Sequence, residues 1–284
     1  MKYLRNEPLS RHTSFKIGGP ANYFCLPKSI GNIKEVLSFA RQNKLKIAVI
    51  GAGSNLLAPD QGFSGLVIKI GQGLAWVKAK GDRVSVGAGV GLARLVKLGG
   101  LEFLAGIPGS VGGAVVMNAG AWGEEIGKYV EQVTVLDGAG RVKEIKRKNL
   151  GFAYRKSKLQ KSRFIVAEVV FKLDRIRQRV KQEKIKEYLA KRRARHPLDR
   201  PSCGSVFKNP RGLTAGALIE AAGCQGKRIG DAQVSKKHAN FIVNLGGAKA
   251  ADVIKLISIV QKAVNNKFKV LLEPELKTMV QSKL

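Results

Sequence analysis

The chain has 284 residues, 44% apolar and 25% charged. That leaves room for two or three cored units and excludes a disordered chain or a minimal module. Its 51 Lys and Arg against 20 Asp and Glu give a net charge of +31, a field that attracts polyanions or anionic small substrates without choosing between them.

Cys25, Cys203 and Cys224 form neither a CxxC motif nor a zinc spacing. The opening MKYLRNEPLSRHTSF lacks the apolar core of a signal peptide. A cytoplasmic, reducing location is the expectation.

In chain order, residues 21–26 read as a strand. Residues 29–43 read as a helix, with Ile30, Ile33, Val36, Leu37 and Ala40 on one face and Ser29 as its N-cap. A short apolar strand at 46–50 runs into Gly51-Ala52-Gly53-Ser54-Asn55, and 66–70 is another strand. The next segment leans to β structure. Residues 76–80 and 83–86 flank Gly81-Asp82 as a hairpin, 90–98 read as a helix, and 130–136 and 141–145 flank a second turn. Residues 164–173 form a long β-branched strand.

Composition then shifts. Residues 175–200 carry eleven Lys and Arg against Glu183, Glu187 and Asp199. Ile176, Val180, Tyr188 and Leu189 could line a thin apolar stripe on a helix there. This marks the crossing into a last domain. That domain has a helix at 214–222 closed by Gly223, a strand at 240–245 and an amphipathic helix at 250–266. The apolar side of the long helix holds Val253, Ile254, Leu256, Ile257, Val260 and Val264. Strands are expected at 270–272 and 276–280, around Pro274.

Residues 103–123 contain no charged side chain. Six glycines and Pro108 make them a poor membrane span and a better glycine-rich ligand loop. There Gly106, Ile107, Pro108, Gly109, Ser110, Gly112, Gly113 and Asn118 could present backbone to a flat aromatic cofactor. A helix-packing patch is the plainer alternative. Gly51–Asn55 could direct amides at phosphate oxygens, with Ser54 and Asn55 adding side-chain donors. It lacks the third glycine of a dinucleotide fingerprint and the lysine of a P-loop, and it could be only a turn.

Arg155, after an aromatic pair in FAYRKS, offers a fork to a carboxylate, unless it is a solvated surface Arg. Ser205 in CGSVFKNP could donate a proton, or simply occupy a turn. Glu273 and Glu275 flank Pro274, so in an extended segment only one of them faces a site. His12, His196 and His238 have no metal spacing.

These segments together resemble the UDP-N-acetylenolpyruvoylglucosamine reductase (MurB) family. The likeness runs through LSRHTSFKIGG, GAGSNLL, GIPGSVGGAVVMNAGAWGEEIG, FAYRKS, CGSVFKNP, AGALIEAAGCQGKRIGDAQVSKKHANFIVN and LLEPE. It implies an α+β fold: a two-part FAD-binding domain of the vanillyl-alcohol-oxidase (PCMH) type at 1–73 and 74–174, then a substrate domain at 175–284.

The resemblance further implies non-covalent FAD. Gly51, Ala52, Gly53, Ser54, Asn55 and Leu56 would lie at its pyrophosphate, and Ile107–Gly113 with Asn118 along its ring. NADPH would be the co-substrate, and UDP-N-acetylglucosamine enolpyruvate would be reduced to UDP-N-acetylmuramate. Arg155, Ser205 and Glu275 fall on the family's catalytic positions, with Ser205 as proton donor. Asn209 and His238 would border the substrate.

The short span from Arg155 to Ser205 resembles the family type without a tyrosine-bearing clamp loop. His196 stands where that type often has Gln. A monomer without membrane insertion or nucleic-acid partner is expected. The alternatives are another FAD-dependent oxidoreductase of this fold, or a basic nucleic-acid-binding protein. The basic segment lacks the interleaved aromatics and motifs that the last would need.

Overall fold

The computed structural model describes residues 1–173 and 182–279. The first sheet contains β1 (Leu4–Pro8), β2 (Pro20–Cys25), β3 (Ile47–Ile50) and β5 (Phe63–Lys69), in the order β1-β2-β5-β3. β1 is antiparallel to β2, and the other pairings are parallel. Helix α1 (Ile30–Gln42) makes the crossover from β2 to β3. Ser29 caps it by accepting from the Asn32 amide at 3.1 Å. Ile33, Val36, Leu37 and Ala40 are buried, as their spacing predicts. The two-residue strand β4 (Leu56–Leu57) leaves this sheet at the glycine loop.

The second sheet is antiparallel, in the order β11-β10-β12-β7-β6. Its strands are β6 (Val77–Lys80), β7 (Arg83–Gly87), β10 (Val130–Leu136), β11 (Val142–Lys146) and β12 (Ile165–Lys172). Gly81, at φ 64°, makes the β6–β7 turn. The helix expected at 90–98 shrinks to α2 (Leu92–Val96), because Gly91 precedes it and Gly99 and Gly100 both turn at positive φ. The uncharged stretch contains one seven-residue helix, α3 (Val111–Met117). Pro108 and Gly109 lie before it, where they do not interrupt it, and Asn118 ends it at φ 48°. The small ladder of β8 (Gly120–Ala121) and β9 (Glu124–Glu125) follows.

The last domain opens with α4 (Gln182–Arg195). Tyr188 is buried and Leu189 partly so, both against the core shared by the first two sheets. Ile176 and Val180 lie outside the described residues. A third sheet follows, made of β13 (Ser202–Ser205), β14 (Arg228–Ile229), β15 (Ala232–Val234) and β16 (Phe241–Asn244), in the order β13-β16-β15-β14. Helices α5 (Ala215–Ala221) and α6 (Ala250–Phe268) pack against each other beside this sheet.

The buried stripe of α6 is Val253, Leu256, Val260 and Val264. Ile254, expected on that side, is 49% exposed. It sits one residue beyond Val253, about 100° around the helix and off a narrow stripe. The strand expected at 270–272 does not form, and Leu271 is 76% exposed. The chain there leaves α6 through Lys269 at φ 57° and gains only an isolated bridge, Pro274 to Phe207. The strand after it is β17 (Lys277–Thr278), which returns to pair in parallel with β4. Phe15, Ile17 and Leu57 from the first unit are buried in the core of the third. Among the described residues no helix is long and apolar enough to cross a membrane.

Candidate active site

Two glycine loops meet at the junction of the first two sheets. Ser54 Oγ donates to the Pro108 carbonyl at 2.9 Å and joins them. A Cβ on Gly51 would lie 2.3 Å from Ser110 Oγ, and one on Gly53, at φ 69°, would lie 2.1 Å from the His12 carbonyl oxygen. Ser110 Oγ is itself buried without a partner. A buried hydroxyl left unsatisfied beside backbone that tolerates no side chain fits a polar ligand in this cradle. FAD phosphate or ring oxygens suit it chemically.

Ala52, Pro108 and Gly113 form the exposed rim, and Leu56, Ile107 and Gly109 are half-buried. Gly112 packs closely on Ala88. The Asn118 side chain is spent within the protein. It donates to Glu125 and to the Ala153 carbonyl, each at 2.8 Å, and accepts from the Gly127 amide at 3.0 Å. It therefore braces the turn that carries Arg155. Asn55 Nδ2 donates to the Glu275 carbonyl at 3.2 Å.

Arg155, Ser205 and Glu275 converge on one cleft of about 380 Å3, which Asn209 and His238 also line. Arg155 sits in the tight turn closed by the Ala153–Lys156 bridge, at φ 54°. Its guanidinium donates to the Gly120 carbonyl at 2.8 Å. Arg155 Nε lies 2.9 Å from Glu275 Oε1, so the two side chains form a close, largely buried ion pair. Burial pushes the Glu275 carboxyl above its ordinary pKa, and Arg155 opposes that rise.

Glu273 faces the other way, 62% exposed at its side chain and paired with Lys208, which holds its carboxyl below the ordinary range. The alternation expected across Pro274 is what the structure shows. Ser205 ends β13, and its hydroxyl makes no hydrogen bond among the described residues. Buried Asn240 clamps the next turn, exchanging two hydrogen bonds with the Phe207 backbone at 2.8 and 2.9 Å. The Glu275 amide donates to the Val206 carbonyl at 2.7 Å. Backbone pairing thus sets the proton-donor candidate beside the carboxylate.

Arg195, Lys237 and His238 line the far side of the cleft. The side-chain Oδ1 of Asn209 accepts from the Ala215 amide at 3.0 Å, at the start of α5. His238 Nδ1 accepts from the Asn240 amide at 3.2 Å, and its ring meets the edge of His196 with centroids 5.5 Å apart. Burial, then Arg192, His238, Lys237 and Arg195, push His196 down to about 4. Burial lowers His238 too.

His196 is therefore neutral in the fold while the unfolded chain, at an ordinary 6.5, takes up a proton. Its stability contribution is complete above pH 6.5 and is lost as pH falls toward 4. Discounted for partial exposure, the loss is about 1–2 kcal/mol. His196→Gln should lose that much less stability between pH 7 and pH 4 in chemical denaturation. An unchanged pH slope would show that His196 titrates normally.

Three further residues matter to the site and carry little sign of it in the sequence. Ser14 and Asn240 are backbone clamps with no local motif. Arg192 is buried at 9% exposure, donates from Nε to the Ala105 carbonyl at 2.8 Å and lies over Trp122. Its spacing of four from Tyr188 on α4 is the available signal. No group of three His, Cys, Asp or Glu side chains among the described residues could hold a metal ion.

Residues 21–146 match an FAD binding domain, and 196–279 match the C-terminal domain of UDP-N-acetylenolpyruvoylglucosamine reductase. The reductase of that name from Listeria innocua is 45% identical, covering 98% of this chain and 95% of its own length. That from Desulforamulus reducens is 45% identical, covering 96% and 92%. The crystal structure of the Thermus caldophilus reductase superposes with a TM-score of 0.82 at 36% identity, covering 98% of this chain and 99% of that one. With sequence and fold matched over nearly the whole length, the chain belongs to the UDP-N-acetylenolpyruvoylglucosamine reductase family.

Proposed function

We propose that Arg155, Ser205 and Glu275 carry the reduction of UDP-N-acetylglucosamine enolpyruvate to UDP-N-acetylmuramate. The chain is a flavin-dependent reductase of peptidoglycan precursor synthesis that uses NADPH. The observation that carries the assignment of residues is their convergence on one cleft, tied to the first glycine loop by the hydrogen bond from Asn55 to the Glu275 carbonyl.

FAD, when bound, supplies the hydride path between NADPH and the vinyl carbon of the enol ether. The protein supplies the rest. Arg155 lines the cleft, and its guanidinium, fixed by the Gly120 carbonyl, suits a substrate carboxylate. Glu275, biased by burial toward its neutral form, can donate a hydrogen bond as charge builds on that carboxylate. Ser205, with its hydroxyl free, hands a proton to the carbon beside it. Gly51–Leu56, Ile107–Gly113 and the backbone at Asn118 would hold FAD. Asn209 and His238 would border the nucleotide sugar.

Purified protein should be yellow, release FAD on denaturation and oxidise NADPH beyond the one equivalent that reduces its flavin only when the enolpyruvyl nucleotide sugar is present. A colourless protein that gains no FAD on reconstitution would overturn this reading.

We further propose a cytoplasmic monomer that binds no nucleic acid. The free buried thiols Cys25, Cys203 and Cys224 suit a reducing compartment. Under the division 1–73, 74–174 and 175–284, each domain or subdomain owns a single large sheet, and α4 packs back on the first two.

A further inference from the structure

The loop at Gly51–Asn55 is tied both to the strand that ends in Ser205 and to the segment that carries Glu275. On one side, the Gly53 carbonyl accepts from the Ser14 amide at 3.1 Å. Ser14 Oγ then donates to the Ser202 carbonyl at 2.7 Å, at the start of the strand that ends in Ser205. On the other side, Asn55 Nδ2 donates to the Glu275 carbonyl at 3.2 Å. The Asn55 carbonyl accepts from the Lys277 amide at 3.2 Å, and the Met279 amide donates to the Leu57 carbonyl at 3.1 Å. The Glu275 amide, bonded to the Val206 carbonyl, closes the ring.

Loop, donor strand and carboxylate segment therefore cannot shift independently. Gly53 gives the loop no slack, since its φ is 69° and its α-carbon packs against the His12 carbonyl. We infer that Ser14 and Asn55 are positioning residues that register Ser205 and Glu275 to the FAD phosphate loop. Filling that loop then sets the placement of the proton donor and the carboxyl group. The inference rests on the roles proposed above for Ser205 and Glu275. It also gives the Asn55 side chain a task other than holding phosphate.

The backbone bonds of the ring survive in Ser14→Ala and Asn55→Ala, so both variants should fold. Stopped-flow absorbance on the holoenzyme reads the two half-reactions separately. Misplacement of a reacting group by about 1 Å can cost about 100-fold. For loss of one tether, flavin reoxidation by the nucleotide sugar should slow about tenfold more than flavin reduction by NADPH. Ser14→Thr, which keeps the hydroxyl, should restore the rate. In Asn55→Ala holoenzyme the Lys277 and Met279 amides should exchange hydrogen faster than in the native holoenzyme.

Equal slowing of both half-reactions, or unchanged exchange at those amides, would overturn the inference. If Ser205→Ala slows reoxidation and neither tether variant does, the inference fails and the site assignment stands. If Ser205→Ala has no effect either, the site assignment fails and takes the inference with it.

Discussion

Ser205→Ala is expected to leave flavin reduction by NADPH near normal and to slow flavin reoxidation by the enolpyruvyl nucleotide sugar by about 10²–10⁴-fold. A positioned proton donor is worth roughly 3–5 kcal/mol of barrier on that scale. Only the second half-reaction places a proton on carbon, so only that step needs the hydroxyl. Ser205 lies at the end of β13, outside both glycine loops, so FAD content should be unchanged. The substitution removes one oxygen atom from a half-buried position, and the Asn240 clamp on Phe207 remains to hold the turn. Ser205→Cys should recover some of the rate, because a thiol can still donate. Stopped-flow absorbance on each step is the measurement. Equal slowing of both steps would point to misplaced flavin and sink the assignment. No slowing of either would mean that another residue or water is the donor.

Much of this architecture follows from signals a few residues long. Ser29 before an apolar face, Gly81 in a two-residue turn and the alternation of Glu273 with Glu275 are local rules that the structure obeys. The glycine loops are legible because backbone that touches backbone or ligand tolerates no Cβ, as at Gly53. The failures share a different cause. The stripe expected on α6 is one residue too wide at Ile254, since an apolar residue at the edge of a face carries no mark of which side it takes. The strand expected at 270–272 rests on apolar content, but among the described residues this segment gains only the isolated bridge of Pro274 to Phe207. The tethers go unread for another reason: Asn55 meets Glu275 across 220 residues, and Ser14 meets Ser202 across 188. Contacts at such separations leave no periodicity to read. They form only once the two ends of the chain have docked.

Arg155→Met should slow reoxidation by about 10²–10³-fold and move the alkaline limb of its pH profile upward. The rate loss follows from removing a fixed cation beside a carboxylate on which charge develops. The shift of the limb follows from the two opposed influences on Glu275. Burial raises its pKa, and Arg155 is the first of the groups pulling it down. Without the guanidinium, the rise due to burial is less opposed, and the carboxyl stays protonated to higher pH. The neutral acid is the donor form, so activity falls as pH rises through the Glu275 pKa, and that fall now comes later. Stability follows the same sign. A carboxyl with a raised folded pKa contributes fully below its ordinary 4.5 and loses that contribution as pH rises through the folded value. In Arg155→Met that window extends further upward. Methionine keeps the unbranched length of the arginine stem, and the turn at φ 54° strains either residue alike. Reoxidation rates measured from about pH 5 to 10, at saturating substrate, test this directly. A limb that moves toward acid, or stays in place while the rate falls, would show that Glu275 is not the titrating donor.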